Sequence, residues 1–213
     1  MPPPLTIIAS TPRYAVINKP PGLLSVPGKG DDKQDCAASR IRAHFPHATG
    51  PLVVHRLDMD TSGLLLFGLD PDAQRDLAMQ FENRAVDKRY IALVDGPLPS
   101  ERGEISLPIR PDITNRPIQI IDHAHGRPSI TRWQLLALET DRSRLELEPI
   151  TGRTHQLRVH LAAINHPILG DVLYGEQPRT AQLAPRLMLH ASMLSFKEPG
   201  NGPTVRFETR APF

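Results

Sequence analysis

Residues 55–63, His-Arg-Leu-Asp-Met-Asp-Thr-Ser-Gly, form the densest polar cluster of the chain, and apolar residues flank them on both sides. Polar groups held next to a hydrophobic core need hydrogen-bond partners or a function. Thr61, Ser62 and Gly63 are turn-forming residues whose hydroxyl and amide groups can fix a neighbouring carboxylate such as that of Asp58. On chemistry alone, a catalytic carboxylate and a capped structural turn both remain open.

A second polar cluster spans residues 151–160 and begins with a glycine turn that leads into a predicted helix. Thr154 is the predicted N-cap, so Arg153 would project from the helix start, either across a cleft or into solvent. His155 and His160 are five residues apart and do not share a helical face as the two histidines of a zinc-binding H-E-x-x-H helix do. We therefore expect no metal site here.

Arginine dominates the basic residues of this 213-residue chain: lysine occupies only five of 25 basic positions, and the net charge is +2. Arginine grips phosphates bidentately and stacks on bases, so this composition favours an RNA partner, although a GC-rich genome would also enrich arginine.

The chain carries few signals for export or membrane insertion. Its longest nearly unbroken apolar run, residues 63–69, is about a third of the roughly 20 residues that a spanning helix needs. The first residues lack the basic and apolar regions of a signal peptide, and Cys36 is the single cysteine. We therefore expect a cytoplasmic protein.

The pattern of apolar residues predicts a strand-rich α+β fold with a few packed helices. Helices are predicted at residues 35–45, at 72–84 with Ala73, Leu77 and Phe81 on one face, and from Thr154 to just before Pro167. Residues 64–69 predict a strand that is buried on both faces. The other predicted strands lie at residues 14–19, 86–94, 118–121, 130–136, 144–150, 187–191 and 204–207.

Four ordered motifs resemble those of the RluA-type pseudouridine synthases. His55-Arg56-Leu57-Asp58 followed by Thr61-Ser62-Gly63 resembles the H-R-L-D-x-x-T-S-G signature of that family. The other three are Asn18-Lys19-Pro20-Pro21-Gly22, Lys88-Arg89-Tyr90 and the block from Gly152 to His160. The likeness extends over about residues 14–213 and is strongest to the short RluA branch, which lacks the S4-like RNA-binding domain found in many relatives.

The resemblance implies one catalytic domain over residues 1–213, with a mixed or antiparallel bent sheet and flanking helices. It implies isomerisation of uridine to pseudouridine by a monomer that needs no metal and no cofactor. The branch implies structured loops of 23S rRNA, of the tRNA anticodon stem-loop, or of both as substrates.

The same resemblance assigns roles to individual residues. Asp58 would be the catalytic carboxylate, Arg153 its cationic partner, and Tyr90 the residue that stacks on uracil and handles a proton. Because burial beside a core strand favours a neutral acid, a cation near Asp58 would keep it charged. Residues expected to contact RNA are Arg56, which would fill the gap left by a flipped base, together with Lys19, Arg116, Arg158 and Leu189.

Two other classes of protein remain open from the residues alone. The i, i+2 spacing of Asp58 and Asp60 could serve an inverting glycoside hydrolase, which requires two carboxyl groups roughly 6.5 to 9.5 Å apart. With aromatic residues at 5%, however, the chain lacks an aromatic-rich sugar platform. An RNA-binding module without catalysis is the second alternative.

Overall fold

Residues 5–175 and 182–213 are described in a computed structural model, in which the chain divides into two units. The first unit comprises residues 5–88 and 190–212, and the second comprises residues 89–175, 182–189 and 213. No helix in these described ranges is both long enough and apolar enough to cross a bilayer. The assignment of residues 1–213 to one catalytic domain stays a prediction.

The chain forms many short strands and a few helices. The strands are β1 (Thr6–Ser10), β2 (Tyr14–Lys19), β3 (Ser62–Gly68), β4 (Asp87–Asp95), β5 (Arg102–Ser106), β6 (Ile109–Pro111), β7 (Gln119–Ile121), β8 (Ile130–Glu139), β9 (Arg142–Pro149), β10 (Leu189–Lys197) and β11 (Thr204–Glu208). Within the described residues, the helices with defined bounds are α1 (Ala37–His44), α2 (Pro71–Glu82) and α3 (Gln156–Ala163), with a short 3-10 helix at Asp31–Lys33. The predicted α+β class is confirmed.

The sheet of the first unit has the strand order β1-β2-β3-β10-β11 and is mixed. β3 and β10 are parallel, whereas the other neighbouring pairs in this unit are antiparallel. Every residue of β3 is buried, which confirms the predicted strand with two buried faces. β3 therefore fixes the polar segment that precedes it to the core.

Helix α2 covers part of this core, as its apolar periodicity predicts. Ala73 and Leu77 are fully buried, and Phe81 packs against the same hydrophobic cluster. The Asp70 carboxylate caps the helix by accepting hydrogen bonds from the amides of Asp72 and Ala73. An N-cap carboxylate satisfies amide groups that have no partner within the helix.

The second unit contains the antiparallel strands β4-β9-β8-β5 and a separate two-stranded sheet, β6-β7. β9 alternates between buried and partly exposed residues, in agreement with its alternating sequence. Leu157 and Leu161 of α3 belong to the hydrophobic core of this unit. The helix thus anchors the segment that contains Arg153.

The structure corrects the predicted start of α3. His155, rather than Thr154, is the N-cap; it has a positive φ of 53° and its side chain makes no capping hydrogen bond. In the turn before the helix, the amide of Arg153 donates a hydrogen bond to the side chain of Gln156. Strands β1, β5 and β6 were not predicted, because they are short and their apolar residues do not form a long enough alternating run.

Candidate active site

Asp58 lies on a tight turn that leads directly into β3. The amide of Thr61 donates a hydrogen bond to the Asp58 carbonyl at 3.2 Å. Leu57 and Thr61 are buried, whereas Asp58 is half-buried and Met59 is exposed. The turn is therefore anchored on both sides, and Asp58 lies where the core meets the surface.

His55 ties the beginning of this segment to β3. Its Nε2 accepts a hydrogen bond from the amide of Leu66 at 3.1 Å, and its ring stacks on Phe81 with a centroid distance of 4.2 Å. Burial, together with the positive charge of Lys88, lowers the pKa of His55 to about 3. The imidazole is neutral at physiological pH, as an acceptor nitrogen requires.

A chain of three side chains ties the other end of the segment to β10. Ser62 Oγ lies 2.9 Å from His190 Nδ1, and His190 Nε2 lies 2.9 Å from Thr209 Oγ1. Ser62 and His190 are register partners in the parallel pair of β3 and β10. Buried polar groups that are all hydrogen-bonded fix the local geometry.

Arg153 lies in the second unit, in the turn before α3. It is half-buried, and its Nε is buried without a hydrogen-bond partner among the described residues. Unsatisfied buried polar atoms are uncommon in native proteins and call for an explanation. The position fits a guanidinium whose partner arrives with the substrate or during catalysis.

Gln156 is a residue of this site that the sequence reasoning missed. Its Oε1 accepts hydrogen bonds from Thr151 Oγ1 and from the amide of Arg153, at 2.7 and 3.0 Å. Its Nε2 donates to the Ile130 carbonyl and to Thr131 Oγ1. The only signal in the sequence was its place within the block of residues 152–160.

Tyr90 lies on β4, opposite Leu147 of β9. Its side chain is half-buried and packs against the hydrophobic core of the second unit. This burial supports the ring, and its role toward uracil stays a prediction.

Two of the predicted RNA contacts lie on the surface. Arg56 is exposed beside the Asp58 turn, and Arg116 is exposed in the connection between β6 and β7. Neither forms an ion pair within the described ranges of the chain. Both side chains are thus compatible with contacts to phosphate.

The structure does not support the phosphate contact predicted for Lys19. Lys19 is fully buried, and its Nζ donates hydrogen bonds to the carbonyls of Pro20, Leu23 and Met59 at 2.7–2.9 Å. An ammonium group has three protons to donate, and three protein carbonyls accept them here. Lys19 therefore connects the loop after β2 to the Asp58 turn.

Arg158 and Leu189 are also poorly placed to contact RNA. Arg158 is 2% exposed and forms a bidentate ion pair with Asp171, with distances of 2.8 and 2.7 Å. Leu189 is 3% exposed within the hydrophobic core of the second unit. The paired charge and the packed leucine have structural roles, so the geometry argues against these two predicted contacts.

Among the described residues there is no cluster of three or more histidine, cysteine or carboxylate side chains that could hold a metal ion. His160, for example, bonds Thr131 Oγ1 and the Leu107 carbonyl, and burial lowers its pKa.

Comparison with known proteins identifies the family to which the chain belongs. A family model for RNA pseudouridylate synthase matches residues 13–163. The chain belongs to this family, and it is an RNA-modifying isomerase that converts uridine to pseudouridine.

Within this family, the chain is similar in sequence to the RluA proteins. The chain is 46% identical over 196 residues to the dual-specificity RNA pseudouridine synthase RluA of Pasteurella multocida, covering 92% of this chain and 88% of the relative. It is 43% identical over 211 residues to RluA of Escherichia coli strain K12, covering 98% and 94% of the two chains. The predicted resemblance to the RluA-type enzymes is confirmed.

Solved structures support the same fold. Human RNA pseudouridylate synthase domain containing 1 has a TM-score of 0.82 at 32% identity, over 100% of this chain and 87% of the other. Human RNA pseudouridylate synthase domain containing 4 has a TM-score of 0.77 at 25% identity, over 97% and 88%.

Proposed function

We propose that this enzyme isomerises specific uridines in structured loops of 23S rRNA, of the tRNA anticodon stem-loop, or of both, with Asp58 as the catalytic carboxylate. The similar RluA proteins are described as dual-specificity RNA pseudouridine synthases, which supports more than one RNA substrate. The observation that carries the proposal is the turn of Asp58, anchored between buried Leu57 and the fully buried β3.

The reaction is an isomerisation, so no atom is added or lost overall. The bond between N1 of uracil and C1′ of ribose breaks, the base turns, and C5 bonds to C1′; the proton leaves C5 and N1 gains one. Asp58 either attacks as a nucleophile or assists removal of a proton from C2′, and both routes need it ionised. A fixed turn favours either route because it positions the carboxylate before substrate arrives.

We assign the supporting roles to Arg153 and Tyr90. A guanidinium stabilises an ionised carboxylate in a partly dry site, and the unpartnered Nε of Arg153 is consistent with such a task. The aromatic ring of Tyr90 can stack on the detached uracil, and its hydroxyl can pass a proton.

The target base must leave its stack before Asp58 can reach the ribose, at a cost of a few kcal/mol that is smaller in a loop than in a duplex. We assign Arg56 to the gap left by the flipped base and Arg116 to phosphate contacts, since both are exposed. We further propose that the enzyme works as a monomer in the cytoplasm, where ribosomal and transfer RNA are made in bacteria.

Pseudouridine mapping of cellular RNA tests the choice of substrate. RNA from cells with and without the gene is treated with a pseudouridine-specific reagent and sequenced, and purified enzyme is then added back to the RNA that lacks the modification. We expect loss and restoration at uridines in 23S rRNA loops or tRNA anticodon stem-loops. Restoration only at duplex or messenger sites would overturn the proposed substrates. Release of free uracil would favour a hydrolase, and binding without modification would favour an RNA-binding module.

A further inference from the structure

The loop between β2 and α1 contacts the backbone on both sides of Asp58. On one side, Ser25 Oγ donates a hydrogen bond to the Leu57 carbonyl at 2.7 Å and accepts one from the Leu57 amide at 3.0 Å. On the other side, the Met59 carbonyl accepts hydrogen bonds from Lys19 Nζ at 2.8 Å and from the Gly22 amide at 2.9 Å. The residues before and after Asp58 are thus both held by this loop, together with Lys19 at the end of β2.

Ser25 is itself held in place by α1. The carbonyls of Leu24 and Ser25 accept hydrogen bonds from the amides of Ala37 and Ala38, at 2.8 and 3.2 Å. The first amides of a helix have no partner within the helix, so they are available to hold this loop. Ser25 is 4% exposed, and its neighbour across the contact, Leu57, is 6% exposed. Water cannot readily replace the serine hydroxyl at this position.

We propose that Ser25 is a positioning residue for the catalytic step: its hydroxyl fixes the backbone of Leu57 and thereby the position of the Asp58 carboxylate. This inference rests on the proposed catalytic role of Asp58. Ser25 acts through Leu57, so its loss should slow the chemical step and leave the affinity for RNA unchanged. An error of about 1 Å in the position of a reacting group can cost about 100-fold in rate.

The chain offers a matched control in the second unit. Ser143 Oγ also donates to a carbonyl, that of Gly96 at 2.9 Å, and accepts from an amide, that of Leu98 at 3.1 Å. Ser143 is fully buried. Ser143→Ala therefore removes the same kind of two-way hydrogen bond, here to the turn that follows β4, and any cost to general stability should be similar.

The test compares Ser25→Ala, Ser25→Thr and Ser143→Ala by single-turnover tritium release from RNA labelled at C5 of uridine. RNA affinity by filter binding and the midpoint of thermal unfolding are measured in parallel. For Ser25→Ala we expect a rate about 10- to 100-fold lower, with the Kd for RNA within about twofold of wild type. Ser25→Thr keeps the hydroxyl and should restore most of the rate. Ser143→Ala should lower the unfolding midpoint as much as Ser25→Ala does and keep the wild-type rate.

Two results would overturn the positioning role. The first is a wild-type rate for Ser25→Ala; the second is an equal loss of rate in Ser25→Ala and Ser143→Ala. If Ser25→Ala is too unstable to assay, Ser25→Cys takes its place, because a thiol is only a weak hydrogen-bond donor and acceptor. We expect the same loss of rate for this variant. Asp58→Asn is included in the same assay. An active Asp58→Asn enzyme refutes the proposed function, whereas an inactive one beside a fully active Ser25→Ala refutes only the inference about Ser25.

Discussion

The Nε of Arg153 is buried without a hydrogen-bond partner among the described residues. The catalytic role that we propose for this residue can therefore be tested separately from any role in folding. A buried polar atom without a hydrogen bond costs folding free energy, so this atom does not stabilise the fold. We expect Arg153→Gln to reduce single-turnover tritium release by about 100-fold, because it removes the positive charge that we assign to stabilising the Asp58 carboxylate. The free energy of unfolding in urea should change by less than about 0.5 kcal/mol. A large loss of stability with activity retained would show that Arg153 serves the fold instead.

His55 makes the stability of the first unit depend on pH. Its pKa is about 3 in the folded chain, compared with an ordinary value of 6.5. As the pH falls, the unfolded chain therefore becomes protonated at a higher pH than the folded chain does. Stability is therefore full above pH 6.5 and falls as the pH decreases from 6.5 toward 3. Between pH 7.5 and 5.0, protonation of His55 in the unfolded chain lowers the free energy of unfolding by at most about 2 kcal/mol. The actual loss should be smaller, because the ring is only half-buried.

Urea unfolding at these two pH values, for wild type and His55→Gln, isolates that contribution. Glutamine can accept the hydrogen bond of the Leu66 amide but does not titrate. We expect the variant to lose less stability than wild type between pH 7.5 and 5.0. Equal losses in the two proteins would mean that His55 is not held neutral.

At the scale of residues, the sequence predicted the position of the polar turn better than the contacts of individual cations. Asp58 and Arg56 lie at a surface turn, as their motif suggests. Lys19 and Arg158 also belong to motifs that resemble those of the family. Lys19, however, donates to the Met59 carbonyl, 40 residues away, as well as to two nearby carbonyls, and Arg158 pairs with the Asp171 carboxylate, 13 residues away. Pairings over such separations follow from the fold and are not visible in a local pattern.

At the scale of elements, Gly63 allows β3 and β10 to approach closely. Its φ is +112°, and a Cβ at this position would overlap the backbone oxygen and nitrogen of Ala191. Gly22 also has a positive φ, +78°, but a Cβ there would meet nothing within 4 Å. The two glycines therefore differ in available space rather than in the sign of φ.

This difference predicts unequal costs for two alanine substitutions. Gly22→Ala should lower the free energy of unfolding by about 1 kcal/mol, which is the cost of a left-handed conformation. Gly63→Ala should cost more than about 4 kcal/mol, since backbone atoms of a central strand cannot move aside easily. Urea unfolding measures both. Similar costs would indicate that the strands separate without penalty.

Elements with strong periodicity were predicted well. α2 and β3 agree with the apolar patterns at residues 72–84 and 64–69, because burial on one helical face or on both strand faces leaves a clear signature. The N-cap of α3 is predicted at Thr154, whereas in the structure it is His155, one residue later, whose side chain makes no capping hydrogen bond. Ser25 was missed as a functional residue because a single serine in a loop carries no periodic signal.

At the scale of the whole molecule, the residues assigned to the reaction are distributed over both units. Asp58 and Arg56 belong to the first unit, whereas Tyr90 and Arg153 belong to the second. The order of the motifs along the chain predicted this set through its resemblance to a family. The hydrogen bonds that support them, at Ser25 and at Gln156, became visible only in the folded chain.

The central claim is that the carboxylate of Asp58 performs the isomerisation, and Asp60 provides the matched control. Both carboxylates are half-buried on the same turn, and a hydrolase that used the pair would need both. The measurement is single-turnover tritium release from C5-labelled RNA with wild type, Asp58→Asn and Asp60→Asn. We expect Asp58→Asn to lower the rate by more than about 1,000-fold. Asp60→Asn should stay within about threefold of wild type. Release by Asp58→Asn at the wild-type rate would contradict the account.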